Sequence, residues 1–229
     1  MKQSTLSKVL AARADQQALC LITREDSGAE DALLLAELND VDDAISEAAK
    51  NALRLDQMQT LEQDGTRLFF TPFNPPVHVL IVGAVHIAQA LLPLLSALSF
   101  SATVIDPRGA FARAERFANA TVLIQWPDEA LEDIDIGHRH AVVTLTHDPK
   151  LDDPGLHAAL RSPAFYIGSL GSRRTHAQRV SRLKENGFTD ADIARISAPV
   201  GLDIGGRSPA EIALSIAADI VQALRKPTP

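Results

Sequence analysis

Residues 77–106 read VHVLIVGAVHIAQALLPLLSALSFSATVID: an apolar run, a turn at Gly83, a helix-like stretch, a second apolar run, and then Asp106, the first charged side chain since Arg67. A buried strand, a glycine turn and a helix leading to another buried strand outline a βαβ dinucleotide-binding unit. The glycine pattern departs from G-x-G-x-x-G, because the three positions hold Gly83, Val85 and Ala88. The middle glycine normally lets a pyrophosphate approach the backbone, and Val85 puts a β-branched side chain there. NAD(P) is therefore expected to bind weakly or not at all, although the architecture suits a phosphate-bearing ligand.

Outward from this unit, apolar runs alternate with helical spacing. Strands are expected at 77–82, 102–105, 121–124, 141–145 and 164–167, with helices between them. The pattern predicts an α/β fold, a Rossmann-like, doubly wound and mostly parallel sheet over residues 75–229. Asp153-Pro154, Thr189 with Asp192, and Ser208-Pro209-Ala210-Glu211 read as helix starts, and Pro93 as a kink in the helix after Gly83. Asn74-Pro75-Pro76 is the clearest boundary. Before it, residues 1–74 read as a small α+β subdomain: strands at 18–23 and 32–38, a helix from Val41 capped by Asn39 or Asp40, and a hairpin around Asp64-Gly65.

Of the net charge of −7, nearly all lies in the first 74 residues, which carry 7 Lys+Arg against 13 Asp+Glu; the remainder carries 15 against 16. No basic stripe points to nucleic acid. Lys2, Lys8, Arg13 and Asp15 leave no apolar leader core. The uncharged stretch from Leu68 to Ile105 is long enough to span a bilayer, but Pro75, Pro76, Gly83 and His86 interrupt it, and a buried strand followed by a packed helix has the same hydropathy; no membrane association is expected. The single cysteine, Cys20, sits in the apolar run ALCLIT and reads as a buried structural thiol in a cytoplasmic protein.

In doubly wound sheets, ligands bind beyond the carboxyl ends of the strands where strand order reverses. The candidate residues are Gly83, Ala84, Val85 and His86 after the first strand, Asp106 and Arg108 after the second, and Thr146, His147 and Asp148 after the fourth. Gly168, Ser169, Gly171, Ser172, Arg173 and Arg174 follow the fifth, and Gly201 and Asp203 precede the last helix. Asp106, 23 residues after Gly83, reads either as a ribose 2′-hydroxyl acceptor or as a turn cap through Pro107. Arg173 and Arg174 open a helix, where cations oppose the macrodipole; an anionic ligand would offset that conflict, and solvated surface arginines are the alternative. His147 is read as lining the site, and His138-Arg139-His140 as a loop before the fourth strand. No nucleophile elbow and no phosphate loop of the G-x-x-x-x-G-K-S/T type occurs; Tyr166 has Leu170 four residues on, which excludes a Tyr-x-x-x-Lys pair.

Together, VLIVGAVHIAQAL, VIDPR, VVTLTHDPKLD, FYIGSLGSRRTHAQR and APVGLDIGGRSPAEIALSIAADIV resemble the Rossmann domain of the xanthine dehydrogenase accessory proteins, the XdhC (CoxF-like) family, over residues 77–224. The resemblance implies a protein that binds the molybdenum cofactor, as molybdopterin or its dinucleotide, assists its sulfuration, and delivers it to an apo molybdenum hydroxylase. It implies no catalytic or metal-ligating residue in this chain. Family members commonly carry glycine at the Val85 position and a longer amino-terminal domain with cysteine-bearing segments. The partners it implies are the apo hydroxylase, a second accessory subunit or a cysteine desulfurase, and further copies of the chain in a homo-oligomer. A nicotinamide-dependent oxidoreductase and a scaffolding subunit with a vestigial nucleotide site remain the competing classes, since this fold serves many functions.

Overall fold

The computed structural model describes residues 2–226, which divide into one compact unit up to residue 75, joined by the chain from 224 onward, and a second unit, Pro76–Ala223. In the first unit the elements are α1 (Gln3–Ala14), β1 (Leu19–Arg24), β2 (Glu30–Leu34), α2 (Asp43–Leu55), β3 (Gln59–Gln63) and β4 (Thr66–Phe73). The strands form an antiparallel sheet ordered β2-β1-β4-β3. Helix α2 buries Ala49, Ala52 and Leu53 against Cys20, Ile22, Leu68 and Phe70. Asp64 and Gly65 both have positive φ (51° and 76°), the geometry of a two-residue hairpin turn.

Two expectations in this unit are corrected. The cap of α2 is Asp42, whose carboxylate accepts from Ala44 N and Ile45 N, whereas Asn39 and Asp40 lie in a 3₁₀ turn, 35–40. The second strand stops at Leu34 because Glu37 reaches back to accept from Leu34 N (2.7 Å) and closes that turn. Helix α1 carries no clear apolar stripe, and no sequence pattern predicts it.

The second unit contains β5 (His78–Val82), α3 (His86–Ala97), β6 (Ser101–Ile105), β7 (Thr121–Leu123), α4 (Pro127–Glu132), β8 (His140–Thr144), α5 (Pro149–Leu160), β9 (Tyr166–Ser169), α6 (Arg173–Glu185), α7 (Asp190–Ile193) and β10 (Ile196–Ser197). Helix α8 (Pro209–Arg225) follows. All six strands are parallel and ordered β10-β9-β8-β5-β6-β7. The chain winds outward from β5 through β6 to β7, returns to the other side of β5 with β8, and winds outward again: this is the doubly wound Rossmann order, with its reversal between β5 and β8. Val79–Val82 and Ala141–Val143 are fully buried, as helices on both faces of a parallel sheet require. Among the described residues no helix is long and apolar enough to cross a membrane.

Helix α5 starts earlier than Asp153-Pro154 implies. Asp148 caps it by accepting from Lys150 N (3.0 Å), Pro149 takes the first position, and Pro154 lies inside the helix. His140 begins β8 rather than ending a loop. Strand β9 runs two residues beyond its expected end, so Gly168 and Ser169 belong to the strand, and β10 has only two residues.

Candidate functional site

The reversal point puts the Gly83 turn beside the β8 end. Gly83 has φ +117°, and a Cβ there would lie 2.5 Å from Thr146 Cγ2, so a side chain at this position would be strained and would push Thr146 aside. Gly83 N donates to Ile105 O (2.9 Å), and Ala84 N to Asp106 Oδ2 (2.8 Å). Ala84 O in turn accepts from Arg116 Nη1 (3.5 Å), which also donates to Phe111 O, while Arg116 Nη2 donates to Gln89 Oε1. Val85 is the extended residue before α3 and offers no capping side chain; His86, exposed, opens the helix. The amides of the first turn of α3 therefore have no side-chain acceptor, which leaves the positive end of the helix facing the crevice.

Asp106 is held within its own loop and by Ala84. Its carboxylate is wholly buried and accepts four hydrogen bonds: Arg108 N and Nε on Oδ1, Ala84 N and Arg108 Nη2 on Oδ2. Four donors fill the acceptor sites of a carboxylate, so in this arrangement Asp106 braces the loop. Burial pushes its pKa up, but the bonds from Arg108 and Ala84 outweigh burial and hold it below the usual value. The bond to Asp106 raises the Arg108 guanidinium, which stacks 4.8 Å over the exposed Phe111 ring and feels Asp148 and Asp152 from the β8 side. Beyond β6 and β7 lies an open groove of about 790 Å³, lined by Gly109, Arg113, Glu115, Arg116, Val122 and Ile124, residues that no sequence motif marked.

On the β8 side, Thr146 and His147 are held from beneath. Asp152 Oδ1 accepts from Thr146 N (3.2 Å) and Oγ1 (2.7 Å), and Oδ2 from His147 N (3.0 Å). This grip holds His147 in the left-handed region (φ 64°) with its ring exposed. Asp152 lies 3.6 Å from Arg179 Nη2, and both side chains are buried. Burial pushes Asp152 up and Arg179 down, since each charge is removed from water. Sequence reading missed Asp152, Arg179 and Arg116; a charged residue at an inward helical position was the available signal for Arg179.

At the β9 end, Gly168 and Ser169 are buried in the strand: a Cβ on Gly168 would strike Val200 and Tyr166, and Ser169 Oγ pairs with Thr144 Oγ1. Both thus lie inside the sheet, at the carboxyl end of β9. Gly171 (φ +146°) forms the turn, Ser172 caps α6 through Thr175 N (3.1 Å), and Arg173 and Arg174 are exposed with no ion pair among the described residues. Gly201 (φ +89°) packs against Ser215 of α8, and its loop joins β9 through Val200 N to Ser169 O (3.2 Å), with Asp203 exposed. The structure thus joins Ala84, Asp106 and Arg108 into one hydrogen-bonded group, brings Gly83 against Thr146, and leaves Arg173, Arg174 and Asp203 outside that group. Among the described residues no cluster of three or more His, Cys, Asp or Glu could hold a metal ion.

Residues 79–220 match the family model of the XdhC Rossmann domain. The chain belongs to that family. It is 32% identical over 152 residues to the molybdenum cofactor insertion chaperone PaoD of Escherichia coli K12, a match covering 66% of this chain and 42% of PaoD. It is 30% identical over 162 residues to a probable xanthine dehydrogenase subunit of Bacillus subtilis 168, covering 70% of this chain and 47% of that protein. The uncharacterized protein YqeB of E. coli K12 shares 32% identity over 146 residues, 63% of this chain and 27% of its own length. The chain spans less than half the length of these curated relatives. A crystal structure of a xanthine dehydrogenase from Bacillus halodurans superposes with TM-score 0.67 at 21% identity, covering 98% of this chain and 65% of that one, which establishes a shared fold.

Proposed function

We propose that this protein is an accessory factor that holds the molybdenum cofactor and passes it to an apo molybdenum hydroxylase. The observation that carries the reading is the anion-seeking character of an XdhC-type crevice: Arg173 and Arg174 open α6 exposed and unpaired, and α3 begins without a capping side chain. These groups fit the phosphate of a molybdopterin or the pyrophosphate of its dinucleotide form. The α3 and α6 amino termini and the two arginines would hold that end, while Gly83, Thr146 and His147 shape the crevice floor. When bound, the cofactor supplies the ligand-exchange chemistry of molybdenum; this chain binds it, orients it and shields it from water.

Sulfuration needs a sulfur carrier from outside this chain. Its one cysteine, Cys20, is fully buried in the first unit, and burial pushes the thiol up to about 12, so it is neither accessible nor ionised at neutral pH. A partner such as a cysteine desulfurase would deliver the sulfur. NAD(P) fits less well, because Val85 stands at the pyrophosphate approach and Asp106 is already saturated by Arg108 and Ala84. The test mixes the full chain with cofactor released from a molybdoenzyme and measures equilibrium binding, protection from oxidation, and recovery of activity by an apo hydroxylase. Absence of affinity, alone and with the partner subunit present, overturns the reading.

A further inference from the structure

Behind the β8 and β9 loops lies a buried cation whose hydrogen bonds are incomplete. Arg179, on α6, is 2% exposed; Nη2 donates to Leu170 O (3.1 Å), while Nε and Nη1 are buried without a partner among the described residues. Arginine carries five N–H donors in one plane, and the three on Nε and Nη1 meet no acceptor. Buried donors are nearly always paired, so this exception calls for a reason. Asp152 does not supply it. Only Nη2 faces that carboxylate, at 3.6 Å, beyond hydrogen-bonding distance, and both Asp152 oxygens are engaged by Thr146 and His147. A side chain present only to neutralise Asp152 would meet it fork to fork.

Next to the unpaired nitrogen the chain has a glycine. A Cβ on Gly171 would lie 3.8 Å from Arg179 Nη1 and 3.2 Å from Thr175 Cβ and Cγ2, so the residue beside Nη1 carries no side chain. The outer wall of the same turn carries Arg173 and Arg174, exposed and unpaired, at the start of a helix of 13 residues. Because Arg179 and Asp152 offset each other, the turn keeps the two outer positive charges, which match a phosphate dianion.

We propose that Arg179 is the inner anchor of a phosphate subsite at the β9–α6 turn, its Nε–H and Nη1–H groups donating to phosphate oxygens once the Gly171 peptide turns aside. The subsite rests on the cofactor reading only for which phosphate ester is bound. Glycine can make that turn because it populates both signs of φ.

The test titrates the full chain with sodium pyrophosphate and follows the arginine Nε–H resonances by 15N NMR. One solvent-protected resonance, absent from Arg179→Lys, should shift with pyrophosphate. Arg179→Lys keeps the charge beside Asp152 but loses the fork, so affinity should fall about tenfold in protein that circular dichroism shows to be folded at the assay temperature. Gly171→Ala keeps the Arg179 side chain but adds a Cβ beside Nη1 and strains the turn at φ +146°, so it should weaken binding in protein that circular dichroism shows to be folded at the assay temperature. No pyrophosphate binding, an unmoved Arg179 resonance at saturation, or wild-type affinity in both variants overturns the subsite. Released cofactor measured on the same proteins separates the two ideas. Equal cofactor binding by wild type and Arg179→Lys removes the subsite and leaves the cofactor reading intact. Pyrophosphate binding through Arg179 without cofactor binding does the reverse.

Discussion

Alanine at position 83 would place a Cβ 2.5 Å from Thr146 Cγ2 at φ +117°. Holding a side chain at such a φ costs about 1–3 kcal/mol. The clash can be relieved by rotating Thr146, but its Oγ1 donates to Asp152 Oδ1 (2.7 Å) and accepts from Asp148 N (3.1 Å), and losing a bond to a charged group costs about 1.5–3 kcal/mol. Replacing glycine also narrows the unfolded ensemble, which returns about 0.4–1 kcal/mol. The net expectation for Gly83→Ala is a loss of about 2–5 kcal/mol, a large share of the stability of an ordinary domain. Thr146→Ser keeps Oγ1 and removes Cγ2, so in the Gly83→Ala background it should restore about 1.5–3 kcal/mol. Urea unfolding followed by circular dichroism and by the fluorescence of Trp126, in the second unit, reads both effects. A loss below about 1 kcal/mol for Gly83→Ala, or no recovery with Thr146→Ser, would refute the contact as the reason for the glycine.

Three further outcomes concern the site and a fourth concerns Cys20 in the first unit. Replacing Arg173 and Arg174 together by alanine should lower affinity for released cofactor at least about tenfold, with the melting temperature unchanged or slightly higher because the helix start loses two cations; unchanged binding would make them ordinary surface residues. Calorimetry should show little heat with NAD for the wild type and more for Val85→Gly, and micromolar wild-type binding would favour the oxidoreductase class. Asp106 has a depressed pKa, so its stabilisation is fully present above the unfolded carboxylate value and is lost as pH falls through the lower folded value. In Arg108→Met burial is left less opposed, and acid unfolding monitored by circular dichroism should move to higher pH; identical midpoints would contradict that account. Cys20, buried and pushed up to about 12, should react with a disulfide reagent at neutral pH only after denaturant is added.

Local chemistry made the outline of the second unit legible. Val79–Val82 are β-branched or leucine and uniformly apolar, the composition a strand needs when both faces are covered, and Thr189 with Asp192 forms the expected reciprocal cap. Helix α1 escaped because only Thr5, Val9 and Ala12 turn inward, while Leu6 and Leu10 stay exposed and blur the stripe. Two Asp-Pro signals, at 148–149 and 153–154, compete for the start of α5. Asp148-Pro149 prevails over Asp153-Pro154, since Asp148 reaches Lys150 N, and Asp153 is instead drawn to Arg182.

The site divides along the same line. Spacing alone singled out Gly83, Asp106, Thr146 and the arginine pair, because turn chemistry and the carboxyl ends of parallel strands are properties of short segments. Which of these residues are spare was decided elsewhere in the chain. Asp106 is saturated by Arg108 and by Ala84, 22 residues earlier; Thr146 and His147 hang on Asp152; and the unpaired fork of Arg179 exists only because α6 packs it against α5 and the β9 turn. Residue type and local spacing thus determined the strands, the turns and the presence of cations. Hydrogen-bond saturation and burial depend on partners distant in sequence, and only the tertiary structure could assign them.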